Sequence, residues 1–198
     1  MRVVALLALT AALVGCGSSA ADRAQSSRSL ADTKKSPFLG IETPGDVPAA
    51  DFALRDQNGR LVRLSAQRGH LVFVTFLYTH CEDICPLIAT WLDDAARGRN
   101  VRVLAVSVDP DGDTPAAVRQ FVRAHALGPE FHWLIGTRAQ LAPVWQSYNI
   151  LVEARSIDRV AHSAPVFLID RSGRPRLFYP PPQNAREFIH DVRLLLRS

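Results

Sequence analysis

The 198-residue chain has only three cysteines, and its arginines are spread along the sequence instead of forming basic blocks. The formal net charge is +4, a mild basic excess that is ordinary for a soluble surface. Without a basic patch or stripe, the sequence argues against nucleic-acid binding. It also lacks an internal repeat, which excludes solenoids and other repeat arrays.

The N-terminal apolar segment is too short to span a bilayer. MRVVALLALTAALVGC has one arginine before a Val, Ala and Leu run, the layout of a secretory signal peptide. Its end, Leu13-Val14-Gly15-Cys16, resembles the bacterial lipobox, in which the cysteine is lipidated before cleavage. We therefore expect a signal peptide over residues 1–15 and a lipid on Cys16. This would place the protein on the periplasmic side of a membrane. The alternative is an ordinary secreted protein with a chance cysteine.

Residues 16–45 contain Ser, Ala, Asp, Lys and Pro with little periodic apolar pattern, so they are predicted to be a flexible tether. Residues 46–198 have the length of one domain with a single core. A second domain does not fit in the remaining length.

Strand and helix patterns alternate along this domain. ADFALRDQNGRLVRLSAQRG predicts a hairpin turning at Asn58-Gly59, and HLVFVTFLYTH predicts a strand buried on both faces. Thr114-Pro115 predicts a helix start, with threonine as cap. The pattern predicts an α/β fold of thioredoxin-like order: a central mixed sheet flanked by helices, with an extra N-terminal hairpin. Ligands of such sheets gather at the carboxyl ends of the strands, where Cys81 lies.

The segment CEDIC places Cys81 and Cys85 four positions apart at the start of a predicted helix, so both sulfurs are expected on one helix face. Three interpretations compete. A structural disulfide would close so short a loop that it would contribute only about 2 kcal/mol. Thioredoxin-type redox exchange usually has two residues between the cysteines, and here there are three. The third interpretation is metal binding.

Two thiolates are soft ligands that select copper(I), zinc or iron clusters. Zinc sites usually have four protein ligands, or three plus a water, whereas copper(I) is satisfied by two sulfurs and one nitrogen. Of the six histidines, His162 lies directly before the predicted strand APVFLID, where the predicted fold brings a loop against the cysteine-bearing helix start. His70, His125, His132 and His190 have no partner motif that predicts a metal ligand, and His80 is expected to point away from Cys81.

Four separated motifs resemble the Sco/SenC family: DFALRDQNGRLVRLS, FLYTHCEDICP, SVDPDGDTP and AHSAPVFLID. The resemblance covers Asp51 to about Arg197. It implies a thioredoxin-like, copper-binding assembly factor for cytochrome c oxidase, with Cys81, Cys85 and His162 as copper ligands. It also implies a copper-site subunit of the oxidase as the acceptor. Glu82 stands where that family commonly has proline.

An enzymatic alternative uses the same residues. Cys81 and Cys85 as a redox-active pair would make the protein a thiol:disulfide oxidoreductase that reduces the cysteines of the oxidase copper site, so enzyme status stays open. A peroxidase is disfavoured because no threonine and arginine can be placed around the cysteine. Asp109 and Asp113 flank the turn before the Thr114 helix and are expected to cap that helix rather than to serve near a metal.

Overall fold

The computed structural model describes residues 36–156, 159–162 and 164–197, and the side chains of 153–162 are outside that description. From Ser36 onward the chain forms one compact unit. The described residues of this unit form ten strands and four α-helices. The strands are β1 Ile41–Glu42, β2 Ala53–Asp56, β3 Leu61–Arg63, β4 Leu71–Leu77, β5 Val101–Ser107, β6 Phe131–Ile135, β7 Val152–Ser156, β8 Arg159–His162, β9 Val166–Ile169 and β10 Pro175–Tyr179. The helices are α1 Ile84–Ala96, α2 Pro115–Ala124, α3 Arg138–Ser147 and α4 Ala185–Leu195.

Eight of the strands form a mixed sheet in the order β1-β10-β9-β4-β5-β6-β2-β3. The central strand β4 runs parallel to β5 and antiparallel to β9. All seven β4 residues are buried, as the continuous apolar sequence predicts. The predicted mixed sheet is therefore confirmed.

Helices cover both faces of the sheet. Successive strand residues point to opposite faces, and the aromatic contacts of β4 follow this rule. Phe73 packs edge-on against Phe188 of α4, with ring centroids 5.5 Å apart. Phe76 meets Tyr148, just after α3, at 5.6 Å. Because each face is buried by its own aromatic contacts, the core lies on both sides of β4.

Two local sequence signals are realised as predicted. Strands β2 and β3 pair antiparallel around Asn58-Gly59 and form the edge of the sheet, with Gly59 at φ 79°. The Thr114 side chain accepts a hydrogen bond from the N–H of Ala117 at 3.2 Å, and Pro115 is the first residue of α2. The hairpin turn and the start of α2 therefore lie where the turn-forming and capping residues predict them.

The folded unit begins earlier than the boundary expected at residue 46. Ile41 and Glu42 form β1, which pairs antiparallel with β10. The buried carboxylate of Asp191 in α4 accepts hydrogen bonds from the N–H groups of Leu39 and Gly40, at 3.0 and 2.8 Å. These contacts fix residues 39–42 on the sheet, and a two-residue strand leaves no periodic pattern for the sequence to show.

Strands β7 and β8 were not expected from the sequence. They pair with each other as a separate two-stranded sheet between α3 and β9, with Val152 opposite His162. Within residues 36–156, 159–162 and 164–197, no helix combines the length and apolar character needed to cross a bilayer.

Candidate metal centre

The loop from β4 to α1 carries Cys81, and the first turn of α1 carries Cys85. The expectation that both lie on one helix face is wrong, because α1 begins at Ile84. Asp83, the residue before it, has φ −108° and ψ −92°, outside the helical region. The two cysteines still meet: the N–H of Cys85 donates to Sγ of Cys81 at 3.4 Å.

The two thiols have opposite electrostatic environments. The Cys85 thiol donates a hydrogen bond to the Cys81 sulfur, and this is the main reason that the pKa of Cys81 falls to about 5. Backbone N–H groups at the start of α1 lower it further, against the effect of burial. The same hydrogen bond and complete burial raise the pKa of Cys85 above its usual value. At neutral pH the pair therefore carries one thiolate, on Cys81, and one thiol.

Both cysteines are free, so they form no disulfide with each other in this structure. Cys85 is fully buried, whereas Cys81 keeps 9% of its surface exposed. The structural-disulfide interpretation gains no support from this arrangement. A thiolate at the surface with a thiol behind it can bind a soft metal ion or attack a disulfide.

Asp113 fixes the loop that carries Cys81. Its buried carboxylate accepts hydrogen bonds from the N–H and Oγ1 of Thr79, at 2.8 and 2.7 Å, and from Oγ of Ser107 at 2.6 Å. Burial raises the pKa of Asp113, although these donors favour the carboxylate. The expectation that Asp113 caps the following helix is wrong, because Thr114 supplies the cap. Asp113 instead joins the end of β5 to the cysteine loop.

Asp109, the second carboxylate of this turn, also hydrogen-bonds within the turn itself, and Thr114 caps the helix. Oδ1 of Asp109 accepts from the N–H of Gly112 at 3.0 Å. Its Oδ2 lies 3.7 Å from Nδ1 of His80, which is half exposed. A Cβ on Gly112 would collide with that Oδ2 and lie 2.8 Å from the His80 nitrogen. Glycine therefore lets the two loops approach each other, and His80 faces Asp109.

The structure places the backbone of His162 but does not describe its side chain, so the predicted ligand position lies outside the described side chains. His162 ends β8, four positions before β9 begins at Val166. Val166 pairs with Thr75 near the carboxyl end of β4. Since β9 is antiparallel to β4, the start of β9 lies beside the carboxyl end of β4, from which the chain continues to Cys81.

Cys16, the predicted lipidation site, belongs to residues 1–35, which the structure does not describe. Among the described residues, a cleft of about 790 Å³ lies between the β2–β3 hairpin and the starts of α2 and α3. Asp113 and Thr114 contribute to its lining, and the two cysteines do not. Asp113 thus contacts both this cleft and the cysteine loop.

Comparison with known proteins identifies related sequences and folds. The SCO1/SenC family model matches residues 42–197. The mitochondrial protein SCO2 homolog of Bos taurus is 31% identical over 159 residues, which is 74% of this chain and 59% of the bovine protein. The match thus spans less than two thirds of that relative.

Solved structures share the fold. The structure of Bradyrhizobium japonicum ScoI with copper bound is 28% identical, with a TM-score of 0.63, and covers 75% of this chain and 99% of that one. A structure of BsSco, described as a member of the Sco family of cytochrome c oxidase assembly proteins with a disulfide switch, is 25% identical. Its TM-score is 0.64, and the alignment covers 78% of this chain and 96% of that one. The predicted thioredoxin-like α/β fold is confirmed by these neighbours.

Proposed function

This chain belongs to the SCO1/SenC family, and on that basis we propose that it binds copper and delivers it to the dinuclear copper site of a cytochrome c oxidase subunit. In this proposal Cys81, Cys85 and His162 are the ligands, and copper is the cargo. The observation that carries it is the close cysteine pair, in which the Cys85 N–H donates to the Cys81 sulfur and the pKa of Cys81 is lowered to about 5.

The chemistry of the pair favours copper. Thiolates are soft ligands that suit Cu(I), and a bound cation would favour loss of the second proton from Cys85. The described residues within reach of the pair supply no further cysteine. One nitrogen ligand from the segment that enters β9 would complete a three-coordinate site. A relative of this fold has been solved with copper bound.

Delivery requires that an acceptor reach the metal. Cys81 keeps 9% of its surface exposed, whereas Cys85 is fully buried. An acceptor thiolate or imidazole can therefore bind the ion before Cys81 releases it. Copper would pass through an intermediate in which both proteins supply ligands, so the free ion need not enter solution.

The decisive experiment is an anaerobic Cu(I) titration of the reduced protein against a competing chelator, in parallel with its His162→Ala and Cys81→Ser variants. We expect one copper per chain in the unmodified protein. Both variants should lose affinity by at least an order of magnitude, as is usual when a ligand set is broken. Unchanged affinity in His162→Ala would remove that residue from the site.

A second function is favoured by the unequal thiols. A surface thiolate backed by a buried thiol suits thiol:disulfide exchange. The Cys81 thiolate would attack a disulfide of the oxidase copper site, forming a mixed disulfide and releasing one acceptor thiolate. Cys85 would then lose its proton to that thiolate and attack the Cys81 sulfur. This releases the second acceptor sulfur, so two electrons pass to the acceptor and a Cys81–Cys85 disulfide remains.

His162→Ala separates the two functions. Disulfide exchange needs only the cysteines, so the variant should reduce a model disulfide at a rate close to that of the unmodified protein. Copper affinity should fall in the same variant. If both activities fell together, the histidine segment would be required for the thiols themselves.

The proposal also includes attachment to a membrane on the periplasmic side through a lipid on Cys16. It rests on the signal-like sequence ending at that cysteine. A lipid would restrict delivery to acceptors at the same membrane surface.

A further inference from the structure

Two buried side chains hold the main chain immediately after His162. Nε2 of Gln183, a residue with only 5% of its surface exposed, donates to the carbonyl oxygen of Ala164 at 2.8 Å. Oγ1 of Thr75, which is fully buried, donates to the carbonyl oxygen of Pro165 at 3.1 Å. Two consecutive carbonyl groups, two and three positions after His162, are thus bonded to side chains.

Neither side chain is what burial alone would favour. Thr75 is the one polar residue in the seven-residue sequence of β4, LVFVTFL. A valine would fill the same space without a hydroxyl that needs a partner. Gln183 also holds the Tyr179 carbonyl at 3.2 Å, but its Oε1 is buried with no hydrogen-bond partner among the described residues. An unpaired buried oxygen costs stability. The hydrogen bonds to the Ala164 and Pro165 carbonyl groups therefore explain these two residues better than burial does.

The strand that supplies Thr75 also leads to the cysteines. Thr75 pairs with Val166 in the sheet and lies six positions before Cys81. Its hydroxyl therefore links the strand that ends in the cysteine loop to the segment that follows the histidine. Gln183 adds a second link, from the segment between β10 and α4.

We propose that Gln183 and Thr75 are positioning residues of the copper site, which hold the Ala164-Pro165 backbone so that His162 meets the two cysteines. This inference rests on the proposed function, because it requires His162 to be a copper ligand. Without these hydrogen bonds Ala164 and Pro165 would be held less firmly, although Val166 would still pair with Thr75 of β4. The third ligand would then be in place for only part of the time, and copper would bind more weakly.

The test uses full-length protein carrying Gln183→Met or Thr75→Val, each of which keeps the side-chain volume but removes the donor. Gln57→Met is the control, since buried Gln57 also bonds to main-chain groups: its Nε2 donates to the Phe131 carbonyl at 3.4 Å, and its Oε1 accepts from the Trp133 N–H at 2.9 Å. Those bonds lie on the β6 side of the sheet. Thr75→Ser restores the hydroxyl. Chelator competition measures the affinity for Cu(I). The sulfur-to-copper charge-transfer band and the electron paramagnetic resonance spectrum report which ligands hold Cu(II). Urea unfolding measures the free energy of unfolding.

We expect Gln183→Met and Thr75→Val to weaken copper binding by about tenfold or more and to change the Cu(II) spectra towards those of His162→Ala. Gln57→Met and Thr75→Ser should keep the original affinity and spectra. If Gln183→Met does not fold, the comparison of Thr75→Val with Thr75→Ser tests the inference. The inference is overturned if the donor-deleted variants lose stability as Gln57→Met does but bind copper normally. If His162→Ala itself binds copper normally, the ligand assignment of the proposed function fails first, and the inference fails with it.

Discussion

The backbone N–H of Cys85 donates to the sulfur of Cys81 across 3.4 Å, so the first turn of α1 directs one of its unpaired donors at the preceding cysteine. The Cys85 thiol adds a second donor to the same sulfur. Together they determine which cysteine loses its proton first. Several measurable properties depend on that order.

Alkylation of the reduced, copper-free protein should show a single reactive thiolate. The rate of Cys81 modification by iodoacetamide should rise with pH around a midpoint near 5, because the pKa of this residue is lowered to about 5. Cys85 should stay unmodified at neutral pH, since it is fully buried and its pKa is raised. Mass spectrometry of the peptides distinguishes the two.

Cys85→Ala is the control for this experiment. It removes the thiol donor and should move the Cys81 midpoint upward, towards the value of about 8.5 of an ordinary cysteine. A midpoint near 8.5 in the unmodified protein would show that the hydrogen bonds to Cys81 do not stabilise its thiolate.

Stability should depend on pH through the same thiol. The folded pKa of Cys81 lies below its unfolded value, so between about pH 5 and 8.5 the unfolded chain binds more protons at this site. The resulting stabilisation grows as pH rises, by at most about 1.4 kcal/mol per pH unit, and is lost as pH falls towards 5. Cys85, with a raised pKa, opposes this only above about pH 8.5.

Urea unfolding of the reduced protein at pH 5, 6.5 and 8 checks this sign. The difference in unfolding free energy between the unmodified protein and Cys81→Ser should increase with pH across the series. A difference that stays constant would mean that Cys81 titrates alike in the folded and unfolded states.

Asp113→Asn should destabilise the protein by about 1–3 kcal/mol, because the new amide group cannot accept all three hydrogen bonds that the carboxylate receives from Thr79 and Ser107. Asp51→Asn is the matched control. Asp51 also accepts three hydrogen bonds, from Ser65 and Arg63, but its side chain is 40% exposed. Urea unfolding should show the larger loss for Asp113→Asn, and equal losses would contradict the importance of the buried carboxylate.

Cys16→Ala should release the protein from membranes if that cysteine carries the lipid. Expressed in a bacterial host, the unmodified chain should incorporate labelled palmitate and sediment with the membrane fraction, and the variant should do neither. Cys85→Ala serves as control and should keep the label. Label that persists in Cys16→Ala would refute this attachment site.

The sequence predicted those elements whose stabilising interactions are local. The Thr114 cap, the turn at Gly59 and the apolar run of β4 each depend on neighbouring residues, and the structure confirms all three. Strand β1 was missed because its stability comes from distant partners: β10 and the carboxylate of Asp191. No pattern within residues 41–42 could reveal those contacts.

In the candidate site, too, local features were predicted and contacts between distant residues were not. The spacing of Cys81 and Cys85 indicated that their sulfurs meet, but Cys81 does not share a helix face with Cys85, since spacing alone does not show that Asp83 is non-helical. Asp113 was expected to cap a helix because it precedes one. Its partners, Thr79 and Ser107, come from two other segments of the fold and could not be identified from the sequence around it.

The attachment of residues 39–42 to β10 and Asp191 also has a mechanical consequence. A pull applied through the preceding chain would load these hydrogen bonds first, at the β1 border of the sheet. Strands β10 and β9 lie between that border and β4. Tension from an N-terminal attachment would therefore reach the contacts of residues 39–42 before it reached β4.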